Sequence, residues 1–293
     1  MARIINRTKR CLKGARVVLA HPSVLKRRNY IFLLSHVRGY TTLLSHILGS
    51  HPEISGYAET WNSYRSALDL LKLRCAICSH GNYKPNCTYF LDKILHNRLQ
   101  ISDSILSRTG IEYIFMIRKP VPTIKSAVAL YRKYIGEGGA AQGSRFSRSK
   151  GTLPSTVEDA VLYYTSRLAF LVATGARLHR LGKRALVVRA EDLINYPRPV
   201  LCELQTFLDL RSALDEHYSV FDRTGEWNLT DTSEFIRKGK IERNRPSHAD
   251  ISVSDQLAHK ANCEYERCLA ALTDSFPLAP AKDTAQRQLA SEA

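Results

Sequence analysis

The chain has 293 residues, 44% of them hydrophobic and 24% charged, with a net charge of +16. That length builds one large domain or two small ones around a sizeable core, and the composition is that of a globular protein rather than a disordered one. A balance this basic suits phosphate-rich ligands, nucleic acid or an anionic membrane surface, and does not choose among them.

Residues 1–28 form a basic lead-in. No Asp or Glu precedes Glu53, whereas Arg3, Arg7, Lys9, Arg10, Lys13, Arg16, Lys26, Arg27 and Arg28 all do. An acid-free, Arg-rich start suits either a basic surface arm or a mitochondrial transit peptide, and the first strand follows closely enough to favour the arm. No apolar run approaches the ~20 residues of a membrane span. The nearest, Ala160–Ala176, is interrupted by Arg167. No secretory signal is visible, so the cytoplasm is the expected compartment, with the mitochondrion as the alternative.

From Tyr30 to Leu34 a short apolar run predicts a buried strand, and Arg38 and Gly39 mark a basic loop after it. Thr41 and Thr42 then open a segment with helical spacing at Leu43, Leu44, Ile47 and Leu48. Strand, tight loop and helix start, with a cation and two hydroxyls in the turn, make an anion-holding device, because free N–H groups and the helix dipole point at the ligand. Ile54–Tyr57 predicts a second short strand ending near Glu59. A helical pattern follows through Tyr64, Leu68, Leu71 and Leu73, then a turn over Gly81–Asn86. Tyr89–Leu95 contains Lys93 and leads to His96 and Asn97.

Ile111–Ile117 is nearly continuous apolar sequence, the mark of a parallel strand buried on both faces. Arg118 sits at its end, and Pro120 and Pro122 open a helix that carries Ser126 and runs to about Tyr134. Residues 136–154, rich in Gly and Ser and carrying Arg145, Arg148 and Lys150, read as a long mobile loop over an anionic ligand or an acceptor. A helix is expected over Val157–Leu181 and a strand over Ala185–Arg189. Glu191, Asp192 and Leu193 lead to a helix after Pro197, and a last helix spans Ser254 to about Leu272. A structureless tail, 277–293, ends the chain. Strands alternating with helices predict one α/β domain over residues 29–276, with a central parallel sheet.

Seven cysteines, an odd number spread unevenly, argue against a secreted disulfide framework. Cys75, Cys78, His80 and Cys87 have zinc-ligand chemistry without a second matched pair, which leaves reduced thiols as the simpler reading and no metal in the expected site.

Three separated segments share one chemistry: Arg38–Thr42, Arg118 with Ser126, and Arg237-Lys238-Gly239. Arginine offers a bidentate fork to phosphate, serine a directed hydroxyl, and glycine a close backbone approach. Open α/β sheets bind ligands beyond the carboxyl ends of their strands, where the first two segments belong.

In these segments the sequence resembles sulfotransferases that use 3′-phosphoadenosine 5′-phosphosulfate (PAPS). The resemblance covers roughly residues 30–240, judged from how the segments bracket one α/β unit. It implies a three-layer sandwich of the P-loop NTPase-like sulfotransferase type. Arg38, Gly39, Tyr40, Thr41 and Thr42 would form the 5′-phosphosulfate loop. Arg118 and Ser126 would hold the nucleotide 3′-phosphate, covered by Arg237, Lys238 and Gly239. Residues 186–210 resemble a family segment beside the nucleotide. Tyr40 stands where the family has glycine, and Glu242 stands where a second glycine is usual.

The resemblance also implies metal-independent, in-line transfer to a hydroxyl of a carbohydrate, lipid, small alcohol or peptide. Glu59 would be the general base, with Arg38 and Lys93 acting on the leaving group; His51 and His96 are alternative bases. Acceptor contacts are expected from residues 61–74 and 136–154. No Walker G-x-x-x-x-G-K-[ST] string is present, which weakens an ATP-hydrolysing reading. A basic nucleic-acid-binding protein and an inactive PAPS-binding module remain as alternatives; zinc-finger spacing, a recognition helix and RNP aromatics are absent from the sequence.

Overall fold

Five strands, Asn29–Ser35 (β1), Ile54–Ser55 (β2), Tyr89–Ile94 (β3), Ile111–Ile117 (β4) and Ala185–Arg189 (β5), pair as one all-parallel sheet in the order β2-β3-β1-β4-β5. The computed structural model describes residues 16–79, 81–136, 154–226, 234–244 and 247–280. Its helices are α1 (Thr41–Ser50), α2 (Ala67–Ser79), α3 (Asp103–Leu106), α4 (Pro120–Gly136), α5 (Val157–Arg180), α6 (Ala190–Asn195), α7 (Pro197–Phe207) and α8 (Asp255–Thr273).

Alternation along each strand builds two cores. Tyr30, Phe32 and Leu34 of β1, with Tyr113, Phe115 and Ile117 of β4, face α2, α4, α5 and α8. Ile31 and Leu33, with Ile114 and Met116, face α1, α6 and α7. Because both faces are covered, β1 and β4 read as nearly continuous apolar runs, and the layers stack helix, sheet, helix. Among the described residues no helix is long and apolar enough to cross a membrane.

The expected strands at Ile111–Ile117 and Ala185–Arg189 coincide with β4 and β5. Four other readings need correction. Helix α2 starts after Tyr64 and buries Leu70, Leu73 and Ile77, leaving Leu68 exposed, because its inner face is set by Phe90 and Ile94 beneath it. The stretch from Glu191 is itself helical, as α6. The tail is not structureless at its start: Val187 N–H donates to Pro277 O, and Ala279 N–H donates to Val187 O, so residues 277–280 line the sheet edge and Ala279 is buried. The domain also begins before residue 29, since Val24 is fully buried in the first core. Residues 1–15, 281–293 and the expected mobile loop, apart from its ends at 136 and 154, lie outside the described residues.

The chain leaves β1 toward β2, returns to β3, then crosses β1 to reach β4. Leu33 lies opposite Lys93, and Ser35 opposite Met116. The carboxyl ends of β3, β1 and β4 therefore finish side by side at the point where strand order reverses, which is where such sheets open a crevice.

Candidate functional site at the carboxyl ends of the strands

The loop after β1 is built around a buried histidine. His36 Nε2 accepts the Arg118 backbone N–H at 3.1 Å, so its proton sits on Nδ1 and is donated to Val37 O at 3.0 Å. Burial, with the nearby Arg118 and Arg167 cations adding to it, pushes the imidazole pKa down to about 4. The sign follows from linkage. An unfolded His36 takes a proton near pH 6.5 and the folded one does not until about pH 4. Its contribution to stability is therefore complete above 6.5 and is lost as pH falls through that window, at up to about 1.4 kcal/mol per pH unit. Urea titrations of the wild type and His36→Gln at several pH values check this: the variant lacks that part of the slope.

Arg38 and Tyr40 both adopt left-handed backbone, with φ of 65° and 60°, on either side of Gly39. A Cβ on Gly39 would lie 2.7 Å from Ser35 Oγ and 3.1 Å from His36 O. Ser35 Oγ is itself fixed by donating to Met116 O at 2.5 Å. Gly39→Ala is expected to cost about 1–3 kcal/mol by overpacking, read as a lower urea midpoint at unchanged slope.

From this loop Arg38 reaches across the crevice, and its Nε donates to Ser126 Oγ of α4 at 2.9 Å. Arg118, at the end of β4, reaches back; its Nη1 donates to Arg38 O at 2.9 Å, and its guanidinium lies 4.0 Å from the centre of the Tyr40 ring. Tyr164 OH donates to Arg118 O at 2.6 Å, which ties the turn to α5. Tyr40, where a glycine was expected, thus serves as a stacking face for Arg118. Thr41 and Thr42 begin α1, and Lys93 Nζ on β3, almost fully buried, donates to Thr42 Oγ1 at 3.3 Å.

No family model and no curated protein matches the chain.

Glu59 arrives from the neighbouring edge. Gly56, at φ 108°, lets the chain pass so close to β3 that a Cβ there would sit 2.5 Å from Leu91 O. Beyond it Asp92 accepts from Thr60 N–H at 3.0 Å, Thr60 Oγ1 at 2.6 Å and Tyr64 OH at 2.5 Å, pinning the segment that carries Glu59. Burial raises the Asp92 carboxyl pKa, and these donors oppose the rise. Glu59 is 7% exposed, and its Oε1 lies 3.7 Å from His96 Nε2. Trp61 stacks on His96 with centroids 4.8 Å apart, and Arg98 lies 5.2 Å from the Trp61 ring centre.

Arg167 is a site residue that the sequence reading passed over as a mere break in an apolar run. It has no exposed surface. Its Nε donates to Ser35 O at 2.8 Å, Nη1 to Asn97 Oδ1 at 3.2 Å and Nη2 to Ile94 O at 2.5 Å, so one guanidinium clamps the ends of β1 and β3. Burial lowers its pKa to about 10, and the charge of Glu59 opposes the shift. His248 was missed as well. Burial first, then the charge of Arg38, lower its pKa; Asp250 opposes the shift, and Arg118 and Lys125 add to it.

The remaining expected residues make the following contacts. Arg237 lies over Gly225, where a Cβ would come within 2.5 Å of its Nη2, and the Gly239 carbonyl accepts the Tyr218 N–H at 2.8 Å. Lys238 pairs with Glu242 at 2.7 Å, so the residue that replaces the second glycine engages that lysine. The third segment is therefore packed beside residues 216–226. His51 is held in the turn after α1: its Nδ1 accepts Glu53 N–H at 3.2 Å, and its Nε2 meets Ser212 Oγ at 2.7 Å. Cys75, Cys78 and Cys87 are free thiols; burial pushes Cys78 up to about 12, and His80 lies outside the described residues.

Proposed function

We propose that the chain transfers the sulfuryl group of PAPS to an acceptor hydroxyl, on a P-loop-like sulfotransferase fold. The observation that carries the reading is the Arg38–Ser126 and Arg118–Arg38 pair of hydrogen bonds. Two anion-binding segments about eighty residues apart meet at the switch point of a parallel sheet, as the resemblance requires. The residues suit the ligand: two guanidiniums, a helix N-terminus with two threonines, and a buried lysine one hydroxyl away.

In this reading Arg118 and Ser126 hold the 3′-phosphate. Arg38, Thr41, Thr42 and the first N–H groups of α1 hold the 5′-phosphosulfate. Bound PAPS supplies an activated sulfuryl group, whose bond to the bridging phosphate oxygen breaks as the acceptor oxygen bonds to sulfur. Glu59 takes the proton of that acceptor hydroxyl. Lys93 and Arg38 stabilise the charge that collects on the departing phosphate. Calorimetry tests the class. The full chain is expected to bind 3′,5′-adenosine bisphosphate far more tightly than AMP or ATP, with and without Mg²⁺. Equal affinity for the three nucleotides overturns the proposal.

A further inference from the structure

At the amino ends of the strands, about 20 Å from the site just described by the length of β1, lies a cleft of about 320 Å³ that the proposed transfer does not use. Four arginines line it, Arg27, Arg28, Arg74 and Arg108, together with Tyr30 and Thr109. Arg74 is built into its wall. Its Nε donates to Tyr30 OH at 2.7 Å, and its Nη1 donates to Val24 O and Lys26 O, each at 2.9 Å. Arg28 Nη2 donates to Pro85 O at 2.7 Å. All of these acceptors are neutral, and among the described residues none of the four arginines forms an ion pair with a carboxylate. Lys183 adds a further cation behind the Arg108 turn, bonded to Arg108 O at 2.8 Å. A held cluster of cations without counter-ions is a seat for an oxyanion.

A second observation says which anion source it suits. Leu19 and Leu25 are 80% and 57% exposed, the former in a helical turn and the latter ending the 3-10 turn Pro22–Leu25. Leu25 directly precedes Lys26, Arg27 and Arg28, and the carbonyls on either side of it are the ones Arg74 grips. Exposed leucines among cations are wasted on a free phosphate. They match an acidic bilayer surface, where apolar side chains enter the acyl boundary while arginines take headgroup phosphates.

We infer that the amino-end face, centred on Arg27, Arg74 and Arg108 with Leu19 and Leu25, docks the protein peripherally on membranes rich in anionic phospholipid. The candidate catalytic crevice, at the other end of the sheet, then faces away from the bilayer.

The test is co-sedimentation of the full chain with vesicles of phosphatidylglycerol and phosphatidylcholine, against phosphatidylcholine alone, at physiological ionic strength. The wild type is expected on the acidic vesicles only. Arg27 and Arg108 are exposed and, among the described residues, their side chains make no hydrogen bond or ion pair, so Arg27→Glu/Arg108→Glu is expected to keep the wild-type melting temperature while binding acidic vesicles about tenfold or more weakly. Leu19→Ser/Leu25→Ser is expected to lower vesicle binding about tenfold, while leaving the calorimetric affinity for inorganic pyrophosphate unchanged. Wild-type vesicle binding by the charge-reversed pair overturns the assignment of the cleft. Wild-type vesicle binding by the serine pair overturns the membrane reading and leaves a site for soluble anions or nucleic acid. Wild-type sedimentation with phosphatidylcholine alone overturns the requirement for anionic lipid.

Discussion

Arg118→Ala is expected to weaken binding of 3′,5′-adenosine bisphosphate by about a hundredfold, measured by calorimetry on the full chain. A charged hydrogen bond to phosphate contributes about 1.5–3 kcal/mol, and Arg118 does more than make one. Its Nη1 holds the carbonyl of Arg38, its plane covers the Tyr40 ring, and its backbone fixes the tautomer of His36. Removing the side chain therefore loosens the loop that presents Arg38. Arg38→Ala and Arg118→Ala are accordingly expected to be non-additive, the double variant losing less than the sum of the two. Arg118→Lys recovers only part of the loss, because an ammonium cannot stack on Tyr40 and donate in two directions at once. Unchanged affinity in Arg118→Ala removes this residue from the nucleotide site.

What the sequence discloses here, and what it hides, follows from burial. β4 and β5 are legible because both of their faces are apolar and their charges, Glu112 and Arg189, stand near an end of the strand. β3 is equally buried, yet it carries Asp92 and Lys93 in mid-strand, and adjacent charges read as a surface. The structure resolves the conflict by sending them opposite ways: Asp92 to Thr60 and Tyr64, Lys93 to Thr42. Each charge is tolerated because its partners come from segments distant in the chain, and no periodicity argument contains those partners. Arg167 is the extreme case. In a run of apolar residues it reads as a defect, but its three contacts are to the ends of two strands and to Asn97. A fully buried arginine satisfied by carbonyls reports on the geometry of a sheet edge, which exists only after folding.

The turn after β1 was legible for a different reason. Arg38, Gly39 and the two threonines are local: a sharp turn into a helix needs a residue without a Cβ where the backbone passes Ser35. The third basic segment was legible as a pattern, whereas its packing partners were not. Gly239 keeps φ at 67°, but its carbonyl serves Tyr218 and Lys238 serves Glu242, so similar residue types act as a strut for residues 216–226. The lesson is physical. A glycine next to cations states what the backbone does there, and the neighbouring acid decides whether the charge faces a ligand.

Glu59→Gln is expected to lower the transfer rate by about 10²–10⁴-fold, the usual contribution of a positioned general base, while leaving bisphosphate affinity at the wild-type value. The amide keeps the shape of the carboxylate, exchanges one acceptor oxygen for an N–H donor, and cannot take up the proton. The separation of effects is the point. Glu59 hangs from the end of β2 and is fixed through Thr60 and Asp92, whereas the arginine pair hangs from β1 and β4, so the two substitutions touch different parts of the crevice. His96 stands 3.7 Å away and competes for the same role. Stopped assays with radiolabelled PAPS on Glu59→Gln and His96→Asn decide between them. If Glu59 is the base, His96→Asn keeps most of its activity, since the imidazole then only orients the carboxylate from its place on Trp61. If the rates reverse, with Glu59→Gln nearly intact and His96→Asn inactive, the imidazole takes the proton and Glu59 is its orienting partner.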